Sequence, residues 1–186
     1  MKALFTAAVA GLAGVTAMMP AGASTLSLGN SAARDCWQAA EGRDYDRNAI
    51  YHCNVALEQE GLDPPNRAAT LVNRGVLYMR NRNYSQAERD FSRAMATDES
   101  NPEAYLNMAI SHLQKNENDT SVMPWIQKAL ALNTKDQALA YYSRGVLHER
   151  NGNIRQAYYD YKKAHELAPD WDEPTRDLER YQVIRK

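Results

Sequence analysis

The sequence predicts an all-α protein built as a solenoid of stacked helical hairpins. Three observations carry that expectation. The chain repeats itself at a fixed offset, small and large side chains alternate at helical spacing within each copy, and proline and N-cap signals fall where helices should begin. No sustained period-two alternation of apolar and polar residues is present, so no strand is expected.

The repeat emerges when the chain is displaced by 70 residues against itself. Arg74-Gly75-Val76-Leu77 then falls on Arg144-Gly145-Val146-Leu147, Arg80-Asn81 on Arg150-Asn151, and Asn83 on Asn153. Gln86-Ala87 falls on Gln156-Ala157, Asp90 on Asp160 and Ala94 on Ala164, all without a gap. That offset is twice the roughly 34-residue period of helix–turn–helix repeats, so a third copy belongs in between. Asn101-Pro102-Glu103-Ala104-Tyr105 opens it, with Ala109 in the glycine place, Ala129 in the place of Ala94, and Asn116-Glu117-Asn118-Asp119 as a turn one residue longer.

Packing explains the recurring residue types. Only small side chains fit where two helices of a hairpin cross closely: Gly75, Ala109 and Gly145 on the first helices, Ala87 and Ala157 on the second. Leu71, Tyr78, Phe91, Tyr105, Ile126, Tyr141 and Tyr161 flank the crossings and fill the space towards the next pair. Interdigitation needs that alternation. One hairpin cannot bury its apolar face alone, so neighbours must share a continuous core.

Punctuation sets the boundaries. Asp63-Pro64 and Asn101-Pro102 each read as an N-cap followed by proline at the first helical position. Pro124 belongs in a first turn, because an interior proline costs about 3 kcal/mol. Pro169 ends the last repeat.

Residues 68 to 169 resemble three tetratricopeptide-repeat (TPR) motifs, at approximately 68–101, 102–136 and 138–171 within a 67–169 array. The last is the most complete: Tyr141, Gly145, His148, Ala157, Tyr161, Ala164 and Pro169 stand in that motif's signature places. In the middle copy Ala109 replaces the usual glycine and Thr134 the closing proline. The whole chain also resembles small secreted TPR proteins of Gram-negative bacteria, which often begin with a cysteine-bearing hairpin.

Upstream, residues 24–66 read as a degenerate N-terminal hairpin. Ala49, Cys53 and Ala56 repeat the spacing of Ala87, Phe91 and Ala94, which predicts a second-type helix from Asn48 to Glu60. A short partner is expected around Ser31 to Ala40, carrying Cys36 and Trp37. Residues 1–23 read as a cleavable secretory signal: a positive Met1-Lys2 start, an apolar run from Ala3 to Ala17, and small residues at Ala21-Gly22-Ala23. The expected location is periplasmic or secreted, with no stable membrane anchor. In that compartment Cys36 and Cys53 are expected to form a disulfide pinning the terminal hairpin, worth on the order of 3 kcal/mol. A redox-active pair would show close C-x-x-C spacing, which is absent. Downstream, residues 170–186 read as a C-terminal capping helix with Leu178, Tyr181 and Ile184 turned inward.

Charge and motifs narrow the function. The chain has 22 basic and 23 acidic residues, which lacks the electrostatic footprint of a nucleic-acid binder. His112 and His148 fall where Tyr78 sits and read as packing residues; no metal-ligand spacing accompanies His52 or His165. There is no nucleophile elbow and no glycine-rich phosphate loop, and adjacent His52 and Cys53 point to different helix faces. No catalytic residue, metal or cofactor is expected. Asn83-Tyr84-Ser85 and Asn118-Asp119-Thr120 match glycosylation sequons of a kind common by chance.

In the TPR architecture the first helices line a concave groove. The resemblance places Val72, Asn73, Val76 and Met79 there, then Leu106, Asn107, Ile110 and Leu113, then Tyr142, Ser143, Val146 and Glu149. A carboxylate clamp needs lysines and an arginine, and Val72, Val76, Leu139 and Ser143 occupy the corresponding places, so no such clamp is expected. An apolar strip bearing two asparagines suits a protein or peptide partner of the cell envelope. The alternatives are a groove covered by the chain's own N-terminal segment or by a second copy in a homodimer, and a small-molecule or catalytic site of unrecognised kind.

Overall fold

A computed structural model describes residues 3–7, 31–42, 48–115 and 122–185. Among them the helices follow the expected order. These are α1 (Ala32–Glu41), α2 (Ala49–Gln59), α3 (Pro64–Arg80), α4 (Tyr84–Thr97), α5 (Pro102–Gln114), α6 (Val122–Ala131), α7 (Gln137–Arg150), α8 (Ile154–Leu167) and α9 (Asp172–Leu178). Consecutive helices pair as α1/α2, α3/α4, α5/α6 and α7/α8, and each pair stacks on the next. The result is an all-α TPR-type helical solenoid.

Local chemistry starts the helices where expected. Asp63 accepts the Asn66 amide at 2.9 Å ahead of Pro64, and Asn101 accepts from the Glu103 and Ala104 amides ahead of Pro102. Ser31 caps α1 by accepting the Arg34 amide. Pro124 stands in the first turn of α6. Two hairpin turns share one geometry: Arg82 and Gly152, matched by the 70-residue offset, both take positive φ, 59° and 73°. The amide after each turns back onto a helix carbonyl, Asn83 to Tyr78 and Asn153 to His148.

The crossings are as tight as the small residues imply. A Cβ on Gly75 would collide with the Phe91 ring, and one on Gly145 would stand 2.7 Å from the ring of Tyr161. Phe91, Tyr161, Leu71 and Ile126 are fully buried, in one core running from Cys36 to Tyr181. Cys36 and Cys53 form a disulfide joining α1 to α2, both sulfurs inside that core. This is the staple expected for the terminal hairpin.

The termini depart from expectation. The tail helix stops at Leu178, and Tyr181–Arg185 forms strand β2, antiparallel to β1 (Ala3–Ala7), with Ala3 opposite Arg185 and Ala7 opposite Tyr181. A capping helix over all of 170–186 and an absence of strands are therefore both corrected. Two five-residue strands from opposite ends of the chain are too short to show period-two patterning, and their pairing is a long-range backbone event with no local trace. Leu178 and Tyr181 do pack inward as expected. The Ala23 cleavage site, the Asn116–Asp119 turn and the Asn118 sequon lie outside the described residues.

Candidate partner groove

The candidate groove would run along α3, α5 and α7, and α5 packs against both of the others. Of the residues expected to line it, Val72, Asn73, Val76, Met79, Leu106, Asn107, Ile110, Leu113, Tyr142 and Ser143 are all buried within the single chain, while Val146 and Glu149 are half-buried. An open concave face would leave these side chains wet. Glu41 at the end of α1 and Lys135 ahead of α7 form an ion pair at 2.9 Å. In this structure the side chains of the strip are covered.

The polar groups in the strip differ in what they have left to offer. Asn107 donates from Nδ2 to the Glu103 carbonyl at 3.0 Å, and its Oδ1 is buried with no hydrogen-bond partner. Ser143 donates its hydroxyl to Leu139 O at 2.7 Å, inside its own helix. Tyr142 donates to Asp177 at 2.8 Å and packs its ring on Trp171, so it serves the cap. Glu149 likewise accepts from Tyr161 at 2.8 Å and from Arg180 at 2.9 Å. Burial, then the nearby Glu149 charge and its hydrogen bond, drives the Tyr161 hydroxyl far above the ordinary tyrosine range. The third repeat's share of the groove is thus tied to α9.

Two ion pairs went unassigned in the sequence although the 70-residue offset carries their signal. Arg74 grips Asp90 and Arg144 grips Asp160, each through two hydrogen bonds between the helices of one hairpin. The middle copy has Met108 and Trp125 in those register positions, with the Trp125 ring 4.9 Å from the ring of His112. Opposite charges recurring 16 residues apart in two copies, and absent together from the third, mark an intra-hairpin clamp.

Away from the inner face, a 330 Å³ cleft opens at the N-terminal ends of α3 and α5, bordered by Pro65, Asn66, Asn101, Glu103 and Lys135. Glu103 accepts there from the Thr134 hydroxyl at 3.0 Å and the Lys135 amide at 3.1 Å. Burial raises its pKa despite these bonds. Among the described residues no three His, Cys, Asp or Glu side chains gather as a metal site.

Two family models described as tetratricopeptide repeat match the sequence, at residues 72–137 and 138–170, together more than half of the 186 residues. The chain belongs to the tetratricopeptide-repeat family. Among solved structures, this TPR protein is similar to the first TPR of Spaghetti (RPAP3) bound to the HSP90 peptide SRMEEVD. The two share 26% identity at a TM-score of 0.56, covering 61% of this chain and 88% of that one. It is also similar to two structures of MamA, both at 25% identity over 70% of this chain. Their TM-scores are 0.58 and 0.57, with 72% and 68% of MamA covered. A comparison with curated protein sequences finds no match. The repeats and the peptide-bound neighbour make this TPR protein a protein–protein interaction module. No described helix is long and apolar enough to cross a membrane.

Proposed function

We propose that this TPR protein is a non-catalytic adaptor of the cell envelope that holds a segment of another protein along α3, α5 and α7. The observation that supports it is Asn107. Its Oδ1 is buried in an apolar strip without a hydrogen bond, which costs about 1–3 kcal/mol. The chain leaves that acceptor unused; a partner that displaced what covers it would bond it through a backbone N–H. Apolar neighbours Leu106, Ile110 and Val76 would supply the contact area. A peptide partner has precedent in the first TPR of Spaghetti, solved with its HSP90 peptide. The disulfide and the secretory-type N-terminus support a periplasmic or secreted location, where removal of residues 1–23 would take β1 away and leave β2 unpaired.

The test is a pull-down from the envelope fraction with wild type, Asn107→Ala and Ile110→Asp, each checked for helix content by circular dichroism. Loss of the captured partner in both variants, with helicity intact, is expected. Equal capture by all three defeats the groove assignment.

A second reading is favoured by the burial of the groove residues and by the Glu41–Lys135 pair: the inner face is permanently covered by the chain's own residues or shared with a second copy. Sedimentation of a stable dimer whose formation is abolished by Ile110→Asp supports the shared version. A monomer that captures nothing through the groove supports the covered one.

A further inference from the structure

Arg80 and Arg150 hold equivalent places, five residues beyond the crossing glycines Gly75 and Gly145. Each reaches back to the C-terminal end of the preceding first helix, where unpaired carbonyls and the helix dipole welcome a cation. Both Nη atoms of Arg80 are bonded: Nη1 donates to Gly42 O at 2.7 Å and Ala39 O at 3.2 Å, and Nη2 to Ala40 O at 2.6 Å. Those of Arg150 are not both bonded. Its Nη2 donates to Leu113 O at 3.0 Å, but its Nη1 is buried with no acceptor. Among the described residues no carboxylate pairs with it, and the adjacent Glu149 is held by Tyr161 and Arg180. Burial accordingly pulls the guanidinium below the ordinary arginine range.

The place of this cation matters. Arg150 lies one turn beyond Val146 on α7 and is bonded to the backbone of Leu113, so it stands at one end of the strip that runs through Ile110 and Asn107. A helix cap alone would be served by a guanidinium with both Nη atoms bonded, such as that of Arg80. A half-buried guanidinium whose Nη1 has no acceptor is complementary to a carboxylate, whose bond to arginine is charge-assisted and strengthened by exclusion of water. The middle repeat has neutral Gln114 in this register, and Arg80 in the first spends both Nη atoms on α1 carbonyls, so Arg150 is the cation of this register left with an unbonded Nη.

We infer that the segment held in the groove is apolar with one acidic side chain, an Asp or Glu carboxylate seated on Nη1 of Arg150. This rests on the groove reading above. It differs from a terminal-carboxylate clamp, whose places are taken here by Val72, Val76, Leu139 and Ser143.

A peptide library displayed with its C-terminal end fused, so that no free carboxylate is offered, tests it on the full chain. Wild type should enrich apolar peptides with Asp or Glu at a fixed position. Arg150→Gln should lose the acidic preference, and Arg150→Glu should exchange it for Lys or Arg. Replacing the selected acid by its amide in a synthetic, C-terminally amidated copy should weaken binding about tenfold or more to wild type and leave Arg150→Gln unaffected. Circular dichroism on Arg150→Lys and Arg150→Gln separates lost recognition from lost folding. Enriched peptides without an acid, or the same acid preference in Arg150→Gln, overturn the inference. If Asn107→Ala still abolishes binding in that case, the groove reading survives alone. Absence of any binder to wild type, or binding indifferent to both Asn107→Ala and Ile110→Asp, overturns the groove reading and this inference together.

Discussion

Arg74 holds Asp90 with two hydrogen bonds of 2.7 Å, Nε to Oδ2 and Nη2 to Oδ1, and its remaining Nη1 donates to Asn54 of the preceding hairpin. Asp90 is almost wholly buried, so the pair sits where α3 and α4 close on each other and where the first hairpin abuts the second. Burial weakens the guanidinium's charge, and the bonds and charge of Asp90 more than restore it, leaving its pKa raised. Arg144 and Asp160 repeat the clamp two hairpins further on, and among the described residues no third partner stands in for Asn54.

Removing one member of such a pair strands the other. Asp90→Ala should destabilise the protein by about 3–5 kcal/mol, whereas an apolar double replacement, Arg74→Met with Asp90→Leu, should cost far less. Urea denaturation of the two variants decides it. Met108 and Trp125 already show an apolar pair in this register. Equal losses in the single and double variants would mean that the carboxylate matters for something other than holding Arg74.

Two register positions should respond to glycine chemistry with opposite signs. Gly75→Ala drives a methyl into the Phe91 ring and should cost about 1–3 kcal/mol. Arg82→Gly should gain about 1 kcal/mol, because Arg82 holds a left-handed φ that Gly152 adopts without a Cβ penalty in the matching turn. Thermal and chemical unfolding midpoints of both variants provide the check. Adding Phe91→Leu to Gly75→Ala should recover part of the loss if the collision is its cause.

Reduction of the Cys36–Cys53 bridge, or its replacement by Cys36→Ser with Cys53→Ser, should cost about 3 kcal/mol. The loss should concentrate in α1 and α2. Their amides would exchange rapidly with solvent while those of α3 to α8 stay protected, because each hairpin depends chiefly on its neighbours. Uniform loss of protection along the whole array would show that the terminal hairpin is needed throughout.

Two buried groups should tilt stability in opposite directions with pH. Burial raises Glu103, so its contribution is present below the ordinary carboxylate pKa and is lost as pH rises through the folded value. Glu103→Gln, which keeps an acceptor for Thr134 or Lys135, should therefore be more stable than wild type at neutral pH, with the advantage gone in acid. Burial lowers His148, so its contribution is present above the ordinary histidine pKa and is lost as pH falls through the folded value. His148→Tyr, the residue found in the equivalent place at Tyr78, should flatten the loss of stability below about pH 6.5. Denaturation midpoints measured from pH 4 to 8 give both slopes.

The hairpin array, its register and most helix starts are legible in the amino-acid order alone. Gly75, Gly145 and Phe91 state the crossing geometry locally, Asp63-Pro64 and Asn101-Pro102 state the starts, and the 70-residue offset states the period. Those signals are readable because a repeat imposes the same local demand more than once. Long-range contacts alone bury most of the strip from Val72 to Ser143, commit Tyr142 and Glu149 to the cap, leave Arg150 an unbonded donor, and pair Tyr181–Arg185 with Ala3–Ala7. Each of those outcomes depends on which distant part of the chain arrives beside a given side chain. Periodicity reports the face a residue occupies; what meets that face depends on segments far away in sequence.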